Sequence, residues 1–254
     1  MKHFLITLLL CASSLHAQNP LEGEWITSSL LRNLKAESQN LLVLTQRERE
    51  RSGFAMEFKK DDKNQYISYY FAPCGNDCFR SVSGTFQLIA PSYVRLNALT
   101  FEQTGDCKHK NEKLHNDTAD YYIYKVSNKK IFLVKSTSKN EKEDQEKAEN
   151  YLLITGIKDN ILYDRKHKMK VEAKGIELPA QVEKYATNIL QLKEFKILVY
   201  NQLERRAAWV FAVKDLATGA ITYVIQENYY DAKDNKGMSR FFDCTEAEIK
   251  KFRQ

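Results

Sequence analysis

Between Glu24 and Lys135 the chain alternates short period-two apolar segments with turn signals, and that rhythm restricts the first half to antiparallel sheet. The segments are 24–31, 41–46, 53–59, 65–72, 82–89, 93–102, 120–126 and 130–135. Phe54/Met56/Phe58 and Val94/Leu96 show the alternation, with polar residues between them. Turns are signalled by Asp61-Asp62-Lys63-Asn64, Ala90-Pro91-Ser92, Thr104-Gly105-Asp106 and Ser127-Asn128-Lys129. Fourteen tyrosines and thirteen phenylalanines suit half-buried pleated faces, and nine glycines with four prolines leave no long low-complexity linker. Eight sequential strands have one way to remove their exposed edges, which is closure into an up-and-down barrel. The fold class expected is therefore mainly β: an antiparallel barrel followed by a smaller α+β extension.

The extension begins after Lys139–Asn150 (KNEKEDQEKAEN), which is almost wholly polar and reads as a charged linker or solvated loop. Four regions follow from this: a leader at 1–17, a barrel at 18–137, the linker at 138–150 and an α+β region at 151–254. Within the last, a hairpin is expected from 151–157 to 161–164. A helix is expected to start at Pro179 and carry Val182, Tyr185, Ala186, Ile189 and Leu190 on one face. A second hairpin pairs 207–214 with 220–227, and Thr245 with Glu248 forms a capping-box pattern.

Residues 1–17 have the layout of a secretory signal peptide: Lys2 and His3, an apolar run from Phe4 to Ala12, then small and polar residues to Ala17. The run is shorter than the roughly 20 residues a spanning helix needs. No later segment is a transmembrane candidate, so the mature chain is expected to be exported, to the periplasm or beyond. The formal charge is +6; the leader takes one Lys and no acid with it, leaving +5. That charge is interleaved with acids, as in Arg47-Glu48-Arg49-Glu50-Arg51, rather than gathered on a stripe, which argues against nucleic acid as a partner.

Four cysteines remain after the leader: Cys74, Cys78, Cys107 and Cys244. An even number in an oxidising compartment points to disulfides. Either Cys74 and Cys78 bridge across a hairpin tip, or one of them pairs with Cys107. Cys74, Cys78, Cys107, His109 and His115 are also potential zinc ligands, but their spacing matches no defined zinc pattern, so no metal and no cofactor is expected.

Two short motifs carry a family resemblance. Gly23-Glu24-Trp25 opens the first strand, and Asp120-Tyr121-Tyr122-Ile123-Tyr124 opens the seventh. The first resembles the Gly-x-Trp opening of the lipocalins and their bacterial lipocalin-like relatives. The second is similar to their Thr-Asp-Tyr-x-x-Tyr segment, with Thr118 displaced by Ala119. The resemblance covers residues 23–136, and Gly23, Trp25, Asp120, Tyr121 and Tyr124 are its motif residues. Lys135 and Arg165 are candidates for the basic residue that the family packs over its Trp. If strands strictly alternate direction, Trp25 and Tyr121 share one closed end with the connections 73–81 and 103–119 and the cysteines. The connections 32–40, 60–64, 90–92 and 127–130 then ring the open end.

What the resemblance implies is binding rather than catalysis: a small apolar molecule inside the barrel, with Tyr66, Tyr69, Tyr70, Phe71 and Phe101 as candidate lining. The rest of the chain agrees, because it has no Gly-x-Ser-x-Gly elbow, phosphate-cradling loop or His-Glu-x-x-His. Asp231–Gly237 departs from a calcium loop through Lys233 and Lys236 and reads as a turn. The expected function is thus an exported, non-enzymatic small-molecule binder. The alternative is a protein-interaction module, such as an immunity or inhibitor protein, using the surface around Trp209, Tyr229 and Tyr230.

Overall fold

The computed structural model describes residues 20–251, apart from 33, 35–39, 49–51, 60–63, 74–75, 158–165, 173–177 and 204–206. The leader, Cys74, Arg165 and the strand expected at 161–164 lie outside the described residues. Eight strands close into an antiparallel barrel: β1 (Gly23–Thr27), β2 (Leu41–Gln46), β3 (Gly53–Lys59), β4 (Gln65–Phe71), β5 (Cys78–Ala90), β6 (Tyr93–Gly105), β7 (Lys110–Ser127) and β8 (Lys130–Ser136). The alternation places one face of each strand inside. Trp25, Leu42, Leu44, Met56, Phe58, Val82, Phe86, Leu96 and Leu133 form a continuous buried core there.

Strands β3 to β8 follow one another as hairpins, as the turn signals imply. The order departs from a strict up-and-down barrel at one place: β1 lies between β2 and β3, pairing Trp25 with Gln46 on one side and with Met56 on the other. Strands β2 and β3 consequently run the same way, so β7 runs opposite to β1. The inference that the connections 73–81 and 103–119, with the cysteines, lie at the end where β1 begins is therefore corrected. The end where β1 begins holds the β3–β4, β5–β6 and β7–β8 turns. The connections β4–β5 and β6–β7, with the disulfide, lie at the opposite end together with residues 28–32, 34 and 40. Trp25 pairs with Gln46 and Met56, Tyr121 pairs with Lys135 and with Val94 near the start of β6, and both side chains enter the same interior core.

Residues 106–119, expected as a connection, are mostly strand, because β7 starts at Lys110 and pairs with Phe101–Gln103 of β6 across a bulge. Its exposed face is so polar that the alternation is masked in the sequence. At the tip, Cys78 and Cys107 are bridged, with Cα atoms 5.2 Å apart, which ties the β4–β5 connection to the β6–β7 connection.

The charged segment expected as a linker is instead the start of helix α1 (Glu141–Thr155), which also absorbs the first strand of the hairpin expected at 151–157. Asn140 caps it by accepting Glu143 N–H, and Glu141, Glu143 and Asp144 favour the positive end of the helix dipole. One stripe, Ala148, Tyr151 and Leu152, packs on the outer barrel face with Tyr93, Tyr122, Phe132 and Val134. Another, Leu153 and Ile154, packs on a second sheet. The polar positions between are buried and paired. Asp144 accepts hydrogen bonds from Tyr93 (3.1 Å), Ser136 (2.5 Å) and Lys147 (2.9 Å), and Asn150 accepts one from Tyr223 (2.5 Å). The helix is the shared wall of the two halves rather than a spacer between them.

The second sheet contains β9 (Met169–Glu172), β10 (Phe195–Gln202), β11 (Ala208–Asp215), β12 (Ile221–Asp231) and β13 (Lys236–Thr245), in the order β10-β11-β12-β13-β9. The β11–β12 hairpin and the turn at 232–235 follow the sequence reading; β9, β10 and β13 were not anticipated. Helix α2 (Leu178–Asn188) covers one face with Val182, Tyr185 and Ala186 against Phe211, Val213, Val224 and Phe241. The opposite face, Val210, Ala212, Tyr223 and Ile225, receives Ile154 of α1 and Ile249 of the short α3 (Glu246–Lys251). Thr245 and Glu248 make the expected reciprocal cap.

Candidate functional site

The barrel interior is closed at both ends by leucines. Where β1 begins, Leu21 is fully buried and its carbonyl accepts the Trp25 indole N–H at 2.8 Å. At the other end, Leu31 and Leu34, which lie between β1 and β2 in the chain, are buried in the interior core. Two side chains of the barrel wall hold this plug: Ser68 Oγ accepts Leu31 N–H at 3.1 Å, and Asp117 Oδ1 accepts Leu34 N–H at 2.9 Å.

Beneath the plug sits a polar group in otherwise apolar surroundings. Tyr66 of β4 and Tyr121 of β7 are 1% and 0% exposed, and neither hydroxyl has a hydrogen-bond partner among the described residues. Burial raises the pKa of both phenols well above the ordinary tyrosine range, and the Asp117 carboxylate pushes each the same way. Tyr121 adds to the shift on Tyr66, so the three groups lie within electrostatic reach of one another. Both phenols remain protonated donors with acceptor capacity to spare. Gly84 of β5 makes room beside them: a Cβ there would lie 3.0 Å from the Tyr66 ring and 2.0 Å from Asn97 O on β6.

Of the anticipated motif residues, Trp25 and Tyr121 share the interior core. Gly23 opens β1 in the left-handed region, with φ +114°. Asp120 and Tyr124 are not inside. Asp120 points outward and is held by Arg95 (2.7 and 3.0 Å) and by Lys139 (3.0 Å), which together hold its carboxyl below the usual aspartate range, the Arg95 hydrogen bond most strongly. Tyr124 lies on the outer wall, stacked on Phe132 beside α1. Lys135 stands in register with Tyr121 rather than with Trp25.

The candidate lining divides. Tyr66 and Phe101 face inward. Tyr69 is on the outer surface, donating to Glu24, and its pKa is pushed up to about 12, chiefly by burial and then by that hydrogen bond. Phe71 lies outside under the Arg47 guanidinium, and Tyr70 packs between Phe54 and Phe79. Cys78 and Cys107, two of the five possible metal ligands, are spent on each other, and Cys244 is buried in β13 of the second sheet. Asp117 was missed because it stood in a polar stretch read as a loop. The signal was there: Asp117, Ala119, Tyr121 and Ile123 continue a single period-two face.

No protein-family model matches the chain, and no curated protein does. Among solved structures it is similar to DynU16, a protein of the dynemicin biosynthetic locus, at 12% identity and a TM-score of 0.19 over 78% of this chain and 80% of that one. So distant a superposition carries no information on ligand or activity.

Proposed function

We propose that this is an exported, lipocalin-like binding protein that holds a small molecule inside its barrel and carries out no chemistry on it. The supporting observation is the pair of buried hydroxyls of Tyr66 and Tyr121, without a hydrogen-bond partner among the described residues and close to the Asp117 carboxylate. Leaving a buried hydroxyl unsatisfied costs about 1–3 kcal/mol, and phenylalanine would fill the same space without that penalty. A guest with a compact apolar body and one hydroxyl or carbonyl head satisfies both phenols. It enters where Leu31 and Leu34 are held by one side-chain hydrogen bond each. The disulfide fits an oxidising compartment, and no described helix is long and apolar enough to cross a membrane.

The chain has two tryptophans, Trp25 inside the barrel and Trp209 on β11. In a Trp209→Phe protein the remaining fluorescence reports on the interior alone. Titration with an uncharged naphthylamine probe, followed by displacement with long-chain alcohols and ketones, is expected to quench Trp25 saturably at one site. Absence of saturable quenching across that series would sink the proposal.

A further inference from the structure

Two carboxylates are buried among the described residues, and their surroundings differ. Asp144 is fully buried between α1 and the barrel wall, where Lys147 supplies a cation and the Tyr93 and Ser136 hydroxyls donate to it. Asp117, 9% exposed on the inner face of β7, accepts one backbone N–H, that of Leu34, and forms no ion pair among the described residues. An ionised carboxylate offers about four acceptor directions, and it leaves water at low cost only against a cation or several donors. Two cations described at this end are engaged elsewhere: Arg32 lies over the Phe101 ring, and Lys110 pairs with Glu112.

The fold brings this carboxylate onto the same wall as the two phenols. Register runs from Tyr66 on β4 to Gly84 on β5, to Ala98 on β6 and to Asp117 on β7, so the four share one row of the barrel. Three strand spacings of about 4.8 Å separate the ends of that row. The two positions between carry only a hydrogen and a methyl, and the Tyr66 ring lies against Gly84, one step toward Asp117. Tyr121 stands four residues after Asp117 on the same strand. A guest head held by the phenols therefore has Asp117 as the next polar group along the row. Building on the barrel-binding reading above, we propose that the guest is an amine: a small apolar molecule whose hydroxyl or carbonyl meets the phenols and whose adjacent ammonium pairs with Asp117. The ammonium brings the charge that balances the carboxylate and three donors for the surrounding oxygens.

The test uses the full mature chain carrying Trp209→Phe and three probes of one chain length: a straight-chain 1-alkanol, the matching 1,2-alkanediol and the matching 2-amino-1-alkanol. Competition with the naphthylamine probe, read through Trp25, is expected to show the amino alcohol binding one per chain and at least about tenfold more tightly than the alkanol or the diol. Asp117→Asn keeps an acceptor for Leu34 N–H and removes the charge. It is expected to shrink the preference for amine over diol to about twofold or less. The comparison of amine with diol needs no variant, and it decides the matter on the parent chain if Asp117→Asn does not fold. Saturable binding of alkanol and diol with no gain for the amine overturns the amine assignment while the barrel reading stands. An amine preference that persists in Asp117→Asn overturns it as well, and binding of none of the three overturns both readings.

Discussion

Replacing Tyr66 or Tyr121 by phenylalanine separates a ligand-binding hydroxyl from one that is merely buried. Each hydroxyl is a desolvated group without a hydrogen-bond partner among the described residues. Removing it relieves a penalty of about 1–3 kcal/mol, less what is lost through the small void left by the oxygen. A net gain near 1 kcal/mol for each variant is the expected result. For a protein of this size that is a rise of about 2–4 °C in Tm. Tyr66 and Tyr121 share one packed interior, so the double variant should depart from the sum of the singles. With a hydroxylated guest the sign reverses: each variant is expected to bind it about five- to tenfold more weakly, while affinity for a purely hydrocarbon guest is unchanged. The assays are urea unfolding in the absence of guest and fluorescence titration with the matched pair of guests. Loss of stability in both variants, together with unchanged affinity for the hydroxylated guest, would show that the hydroxyls serve the folded core and refute the reasoning.

Other expectations concern the frame around that site. Cys78→Ser should lower the unfolding free energy by about 2–4 kcal/mol, and dithiothreitol should lower that of the parent protein similarly, because the bridge closes a long loop. Gly84→Ala drives a Cβ to 2.0 Å from Asn97 O, so a loss of about 1–3 kcal/mol or more is expected in chemical denaturation. Asp144→Ala leaves buried Lys147 without its closest carboxylate and frees Tyr93 and Ser136. A loss of about 3–5 kcal/mol is expected, with separate unfolding of barrel and sheet visible by calorimetry. Asp120 has a depressed folded pKa, so its contribution is present above the unfolded value near 4 and fades as pH falls through the folded value. Asp120→Asn should accordingly flatten the loss of stability below about pH 4, measured as urea midpoint against pH.

How much was legible can be judged from particular segments. Strands β2, β3 and β8 appear where the alternation of apolar and polar residues puts them, to within a residue, because each has one face in the core and one toward solvent or α1. Strand β7 was recognised only in its second half. Its first ten residues are polar apart from Leu114 and Ala119, and only Asp117 and Ala119 extend the inward face of Tyr121 and Ile123 into them. Helix α1 was misread for a related reason: its buried positions include Asp144, Lys147 and Asn150, and their partners Tyr93, Ser136 and Tyr223 are supplied by other elements.

Local chemistry in the chain determines the barrel's strands, their turns, the α2 helix and the α3 cap, since periodicity, turn residues and capping residues act over a few positions. The sequence also contained Tyr66, Asp117 and Tyr121, but not their meeting. Only the tertiary structure decided that β1 slips between β2 and β3, which turns β7 against β1 and puts the disulfide at the end opposite the start of β1. Strand order is a choice among pairings of comparable local quality, and it is settled by closing the barrel and burying the plug. The same holds for α1, whose polar face is stable inside the protein only because barrel and sheet complete its hydrogen bonds from both sides.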